Sequence, residues 1–345
     1  MALNSPNIPY SLLELAIVSS GVSTAQTFAN SQDLARKAES WGYKRFWLAE
    51  HHNALSIASS ATPVLIGHIA GGTKTIRVGS GGVMLPNHSP LIVAEQFGTL
   101  ATLYPGRIDL GLGRAPGTDQ VTAQAIRPDR MVSVHSFPEE ISQIQQYLSP
   151  ENSTAKVRVP FAEGVEVPVY VLGSSTDSAH LAAQKGLPYA FASHFATTHL
   201  FDALNIYHNE FQPSGFLKGP YTIACINVIA ADSEEKAESL FTSLIRMFVG
   251  VITGQSEYLQ PPMRMTSELR SLWQHPSVNQ MLKYTFVGTK ETVKQKTKEF
   301  LNQTQASELM VVSNVYGHED RLRSCELFAE IMQEIDAEKG TGNEA

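Results

Sequence analysis

Chemistry in this chain is concentrated in four short runs of polar and small residues. The first is Glu50-His51-His52-Asn53. An imidazole titrates near neutral pH, so a histidine here can hold, accept or release a proton. Neighbouring side chains of an extended segment face opposite ways, so His51 and His52 are poorly placed to share one metal ion. One of the two can face a site as acid, base or hydrogen-bond donor, and a structural polar role fits the fragment equally well. The second run is Gly79-Ser80-Gly81-Gly82. Glycine weakens a strand unless the backbone must bulge or let something approach closely, and a flat ring against bare backbone is one such guest. The third is Arg114, set among small residues, whose planar guanidinium can clasp an anion. The fourth, Ser174-Ser175-Thr176-Asp177-Ser178, combines hydroxyls with a helix start. That makes a ready anion site, and equally an ordinary set of N-capping residues. His194 follows a further apolar run and suits either packing or a ligand contact. No metal is expected, because neither a third histidine nor a carboxylate stands at zinc-helix spacing from His51 and His52. A P-loop and a Gly-x-Ser-x-Gly elbow are also absent from the sequence.

Each of these runs closes a stretch that reads as a β-strand. Apolar, β-branched segments at 11–18, 45–50, 76–84, 107–113, 167–173, 189–193, 221–231 and 308–313 read as strands. Helical patterns at 24–41, 61–70, 90–103, 137–148, 177–185, 197–211, 233–250 and 319–337 follow them. Eight strand–helix units predict a closed parallel (β/α)8 TIM barrel, as a single domain over 1–345. An open doubly wound sheet is the alternative, and the lack of a glycine-rich dinucleotide fingerprint after the first strand weakens it. Barrel sites lie at the C-terminal strand ends, where all four runs fall, while Arg107 starts its strand and reads as structural. Residues 151–165 read as a surface connection with a short hairpin. The long interruption 251–286, between the seventh and eighth barrel strands, reads as a lid over the barrel mouth or as surface decoration.

Composition narrows the class. Of 345 residues, 43% are hydrophobic and 17% charged, a globular balance that can bury a sizeable core. The formal charge of −7, with no basic block, argues against nucleic acid and acidic membranes as partners. Cys225 and Cys325 are far apart and without metal spacing, as expected in a reducing compartment. No signal peptide and no apolar run long enough to span a bilayer is evident, so a cytoplasmic location is expected.

The stretches WLAEHHN at 47–53, VGSGGVMLPNHSPLIVAEQFGTLATLYPGRIDLGLGRAPG at 78–117 and VLGSSTDSAHLAAQKGLPYAFASHF at 171–195 resemble the luciferase-like monooxygenase family. FVGTKETVKQK at 286–296 adds to the resemblance, which runs over nearly the whole chain in the same motif order. The resemblance implies a barrel that binds FMN at its mouth. It implies a catalytic role for His51, and a non-proline cis peptide supporting the flavin ring at Gly81 and Gly82. It assigns the phosphate to Arg114, Ser174, Ser175 and Ser178. Two departures stand out. Gly113 replaces the luciferases' reactive cysteine, which weakens any expectation of light emission, and Ser174 replaces a glutamate of the phosphate loop.

The implied activity is that of an FMN-dependent monooxygenase. FMNH2 from a separate flavin reductase reacts with oxygen to a C4a-peroxyflavin, which oxygenates a small organic substrate such as an aldehyde, ketone or sulfur compound. The family also suggests a homodimer. Three alternatives remain at this point: an F420-dependent hydride-transfer oxidoreductase of the same fold, a flavin-binding protein without turnover, and a phosphate-handling barrel lyase or isomerase without flavin.

Overall fold

The computed structural model describes residues 7–342. Nine strands are present among them: β1 (Tyr10–Glu14), β2 (Arg45–Leu48), β3 (Arg77–Met84), β4 (Ile108–Gly113), β5 (Val169–Gly173), β6 (Tyr189–Phe191), β7 (Thr222–Ala230), β8 (Thr285–Gly288) and β9 (Glu308–Val312). Every pairing between them is parallel. β1 to β7 pair in sequence, β7 pairs with β9, and β9 returns to β1, so eight strands close a barrel. This is the TIM barrel that the strand–helix alternation predicts.

β8 stands outside the ring, an addition to the eight barrel strands expected. β7 is nine residues long and β6 only three. β6 covers β7 from Thr222 to Ala224, and β8 covers it from Asn227 to Ala230. The surplus edge of β7 therefore gains hydrogen-bond partners instead of lying bare.

Helices α1 (Thr24–Ser40), α2 (Thr62–Gly72), α3 (Pro90–Leu103), α4 (Gln120–Ile126), α5 (Arg130–His135), α6 (Phe137–Leu148), α7 (Thr176–Lys185), α8 (Leu200–Glu210) and α9 (Glu234–Thr253) fill the connections as far as the long interruption. That interruption holds α10 (Ser267–Gln274) and α11 (Pro276–Met281), and α12 (Lys290–Thr304) lies between β8 and β9. α13 (His318–Gly342) closes the chain. Residues 251–286 are thus built from short elements. Leu259 pairs with Val18 and Ser20 beyond β1, and Leu269, Val278 and Leu282 pack on the α9 core.

Three expected boundaries move. β1 ends at Glu14 and not at 18, because Ala16 takes a left-handed φ of 51° and its N–H turns back to Glu14 Oε1 at 2.7 Å. β2 ends at Leu48, so the Glu-His-His run lies just beyond the strand. Residues 151–165 form a 3-10 turn at Pro150–Thr154 and no hairpin.

The barrel interior divides in two. At the N-terminal ends, Arg45 donates to Glu308 at 2.7 Å and to Asp109 at 2.7 Å, and all three are buried. Above this plug, Leu13, Trp47, Tyr170, Ile223, Cys225 and Met310 fill the centre. Arg107 lies at the lower end as expected and binds the carbonyls of Ile76, Ala70 and Thr73.

Candidate active site at the barrel mouth

The turn after β2 is organised by Glu50, which is almost completely buried. Its carboxylate accepts from His52 Nε2 at 2.9 Å, from His88 Nε2 at 2.9 Å, from the Met84 N–H at 3.0 Å and from Asn87 Nδ2 at 3.2 Å. A carboxylate only accepts, so both Nε2 atoms carry their protons. Burial by itself would raise the Glu50 pKa, but the bonds from His52, His88 and Met84 outweigh it and bring it to about 2. His52 is therefore committed to Glu50. The following backbone is tied to the end of β4, with the His52 N–H on Gly117 O at 3.1 Å and Thr118 Oγ1 on His52 O at 2.8 Å. His51 is half-buried, as is His52, and burial lowers its pKa.

The glycines of β3 face close neighbours. The Gly81–Gly82 peptide is cis, and pairing of β3 with β4 shifts register between Ser80 and Val83. A Cβ at Gly81 would lie 2.6 Å from Leu13 Cδ1 and 3.0 Å from Trp47 Cβ, and one at Gly82 would lie 2.9 Å from the Gly111 carbonyl. The bulge and the close approach of these protein neighbours both call for glycine here. Gly81 lines a small apolar cavity of about 40 Å3 with Leu13, Trp47, Leu172, Ile223 and Met310, and His194 stands at its β6 side.

Leu172 is also a wall of a second, open groove, beside Arg114, Asp177 and Ser178. Arg114 reaches Asp177 Oδ2 at 3.4 Å. Ser175 is the N-cap of α7 yet makes no side-chain cap bond, so the first N–H groups of α7 gain nothing from it. Ser178 Oγ donates to the Ser175 carbonyl at 2.7 Å and lies 3.0 Å from the Tyr189 hydroxyl. It shapes the turn from within. A Cβ at Gly173 would fall 2.0 Å from Ser178 Oγ, so only glycine lets the helix start close on the strand end. Ser174 is half-buried in the same turn. An apolar cavity thus adjoins an open groove that holds the Arg114–Asp177 ion pair at a helix start.

The family model for luciferase-like monooxygenases matches residues 11–308. The chain belongs to the luciferase-like monooxygenase family. It is 52% identical over 322 residues to the uncharacterised protein YvbT of Bacillus subtilis, covering 93% of this chain and 96% of that one. It is 47% identical over 333 residues to the luciferase-like monooxygenase of Escherichia coli K12, covering 96% and 99%. Among solved structures, apo-MsnO8 matches with a TM-score of 0.84 at 33% identity, over 95% of this chain and 99% of that one. Two more distant matches share the fold. One is the FMN complex of the oxygenating constituent of 3,6-diketocamphane monooxygenase from Pseudomonas putida, with TM-score 0.72 at 18% identity over 94% and 97%. The other is an F420-dependent secondary alcohol dehydrogenase, with TM-score 0.67 at 14% identity over 94% and 98%.

In this luciferase-like monooxygenase, the residues singled out by sequence fall at one end of the barrel. Gly81 lines the cavity, Arg114 and Ser178 line the groove, and Ser174 and Ser175 form the turn beside it. His51 is close enough to His194 to oppose its protonation. Sequence reasoning missed Glu50 as the hub of the turn, and Asn87 and His88 as its partners, since they stand 37 and 38 residues further along the chain. Among the described residues no cluster of His, Cys, Asp or Glu could hold a metal ion, and no helix is long and apolar enough to cross a membrane.

Proposed function

We propose that this chain binds reduced FMN at the barrel mouth and, with oxygen, oxygenates a small organic substrate. The observation that carries the reading is the shared wall at Leu172, which joins the apolar cavity beside Gly81 to the groove at the start of α7 that holds Arg114. When bound, reduced FMN supplies the electrons that activate oxygen. Arg114, Ser174, Ser175 and the first N–H groups of α7 are the phosphate contacts, and Ser178 holds their turn in shape. Gly81 lines the cavity assigned to the ring, and Gly82 follows it across the same peptide. His51, its pKa lowered by burial, is neutral at working pH and can donate or accept a proton beside the reacting atoms. The apolar walls keep water away.

A separate flavin reductase supplies the reduced cofactor, a role consistent with the 3,6-diketocamphane relative being an oxygenating constituent. Residues 251–286 are held to the β1 loop through Leu259, and a cover over the mouth is the role we propose for them. The test is oxygen uptake with FMNH2, and separately with reduced F420, across aldehydes, ketones and thioethers. FMNH2 should support substrate-dependent uptake and an oxygenated product. Turnover with reduced F420 and no oxygen consumption would replace this reading by hydride transfer.

A further inference from the structure

The N-terminal end of the barrel, away from the mouth, holds a cavity of about 560 Å3 beside the starts of β2, β5 and β7. That volume falls in the range of about 300–1,000 Å3 typical of small-molecule sites. Loops at this face of a barrel normally serve stability alone. Here Leu148 and Pro150 around the end of α6, Val165 and Val167 before β5, and Phe216 and Leu217 between α8 and β7 form apolar walls. Phe216 is 71% exposed, a large ring left in water at the edge of the cavity. The turn that carries it is hydrogen-bonded into place. The Phe216 and Leu217 N–H groups donate to Ser214 Oγ at 3.0 and 3.2 Å, and Ser214 Oγ donates to the Gly186 carbonyl at 2.8 Å.

The polar side of this cavity is cationic. Lys44, Arg45, Tyr170 and Tyr221 stand together there. Arg45 is buried, and its Nη1 donates to Tyr170 Oη at 2.8 Å. The Tyr170 oxygen therefore accepts, and its hydroxyl hydrogen meets no acceptor among the described residues. Lys44 Nζ donates to Tyr221 Oη at 2.8 Å and lies 3.5 Å from Glu308 Oε2, so one of its three hydrogens is left over. In this cluster Lys44, Arg45 and Arg77 are set against Glu308 and Asp109, which leaves one positive charge. Burial lowers the Lys44 pKa although Glu308 opposes the shift, as expected of an ammonium short of negative charge. Glu166, the carboxylate among the lining residues, is exposed.

We propose that this cavity is a second binding site, for a small organic acid whose carboxylate meets Lys44 and Tyr170 and whose apolar body lies against Phe216, Leu217 and Leu148. The two spare hydrogens, one on Lys44 and one on Tyr170, match the two oxygens of a carboxylate. One surplus positive charge selects a monoanion. A neutral amide leaves the ammonium uncompensated, and an amine adds to the surplus. Arg45 stays with Glu308 and Asp109 and forms the floor under the carboxylate. Leu13, Trp47 and Met310 fill the barrel between this cavity and the mouth, so an acid here and a ligand at the mouth are held at the same time.

The test is calorimetric titration of the full chain with 3-phenylpropionate, 3-phenylpropanamide and 3-phenylpropylamine, first without flavin and then with FMN present. The acid should bind saturably, one per chain, roughly ten-fold tighter than the amide, and the amine should not bind. Lys44→Met should weaken the acid by roughly ten-fold and leave the amide within about two-fold. Phe216→Ser, a change at an exposed loop position that leaves the fold intact, should weaken acid and amide alike by roughly three- to ten-fold. The urea midpoint of each variant is measured beside its titration, and Phe216→Ser decides the matter if Lys44→Met does not fold. FMN should leave the affinity for the acid unchanged. No saturable binding of the acid, equal binding of acid and amide, or wild-type affinity in folded Lys44→Met or in Phe216→Ser overturns the proposal. Displacement of the acid by FMN would place it at the mouth and overturns the proposal as well.

Discussion

Glu50 and Arg114 act on the site in different ways, and substitutions should separate them. Arg114 is exposed and paired with Asp177 at a helix start, so its contribution should depend on the ligand's phosphate. Arg114→Ala should weaken FMN by roughly 10- to 100-fold and leave riboflavin, which lacks the phosphate, within about two-fold. Equal losses for both flavins would remove Arg114 from the anion site. Glu50 touches no cavity wall and instead fixes the turn that carries His51. Its folded-state pKa of about 2 lies below that of the unfolded chain, so the stability it contributes is present above the unfolded value and is lost as pH falls through the folded one. That loss amounts to about 3 kcal/mol, spread between about pH 5 and pH 2. Glu50→Gln should therefore be less stable than wild type in urea at neutral pH, and the gap should narrow on acidification across that window. His51→Ala should lower oxygenation by roughly 100-fold while FMN affinity changes little, as expected of a proton-handling group. Unchanged turnover would take His51 out of the chemistry.

At the scale of elements, the β5–α7 turn is the most exacting junction. Gly173→Ala puts a methyl on Ser178 Oγ and must push the start of α7 away from β5. FMN should weaken more than riboflavin, because the displaced atoms are those assigned to the phosphate. Much of this architecture was legible in the sequence. Parallel strands covered on both faces read as continuous apolar runs, and β7 is buried at all nine positions. The uncapped Ser175 turn and the Arg114 site lie at strand ends, where barrel topology alone directs attention. Other features left no local trace. β8 has four residues, TFVG, and exists only because β7 outruns β6. α12 carries few apolar residues, so its helical stripe is weak in the sequence. The Glu50 hub joins residues 37 and 38 apart through a 3-10 turn, and only folding brings them together.

Across the whole molecule, the buried charge plug and the proposed flavin site occupy opposite ends of the barrel. The plug at the N-terminal end ties β2 to β9 through Arg45 and Glu308, and to β4 through Asp109, which also accepts from Trp47 Nε1 at 3.0 Å. Removing one member of such a group leaves buried charge uncompensated. Arg45→Leu should cost about 3–5 kcal/mol in urea denaturation, while FMN affinity of the folded protein stays within about two-fold. A stable variant that had lost its flavin would contradict that division of labour. The same division explains why the mouth tolerates an unpaired His194 Nδ1, a bare glycine floor and an uncapped helix start within one small region. The glycines also admit their protein neighbours Leu13, Trp47 and Gly111. The most direct check is an anaerobic titration with FMNH2 of the wild-type chain and of Gly81→Val, whose side chain would stand in the cavity floor against Leu13 and Trp47. The account predicts saturable binding to wild type and a loss of at least roughly ten-fold in Gly81→Val, since overpacking of a tight site costs about 1–3 kcal/mol. No binding by wild type, or equal binding by both proteins, would contradict it.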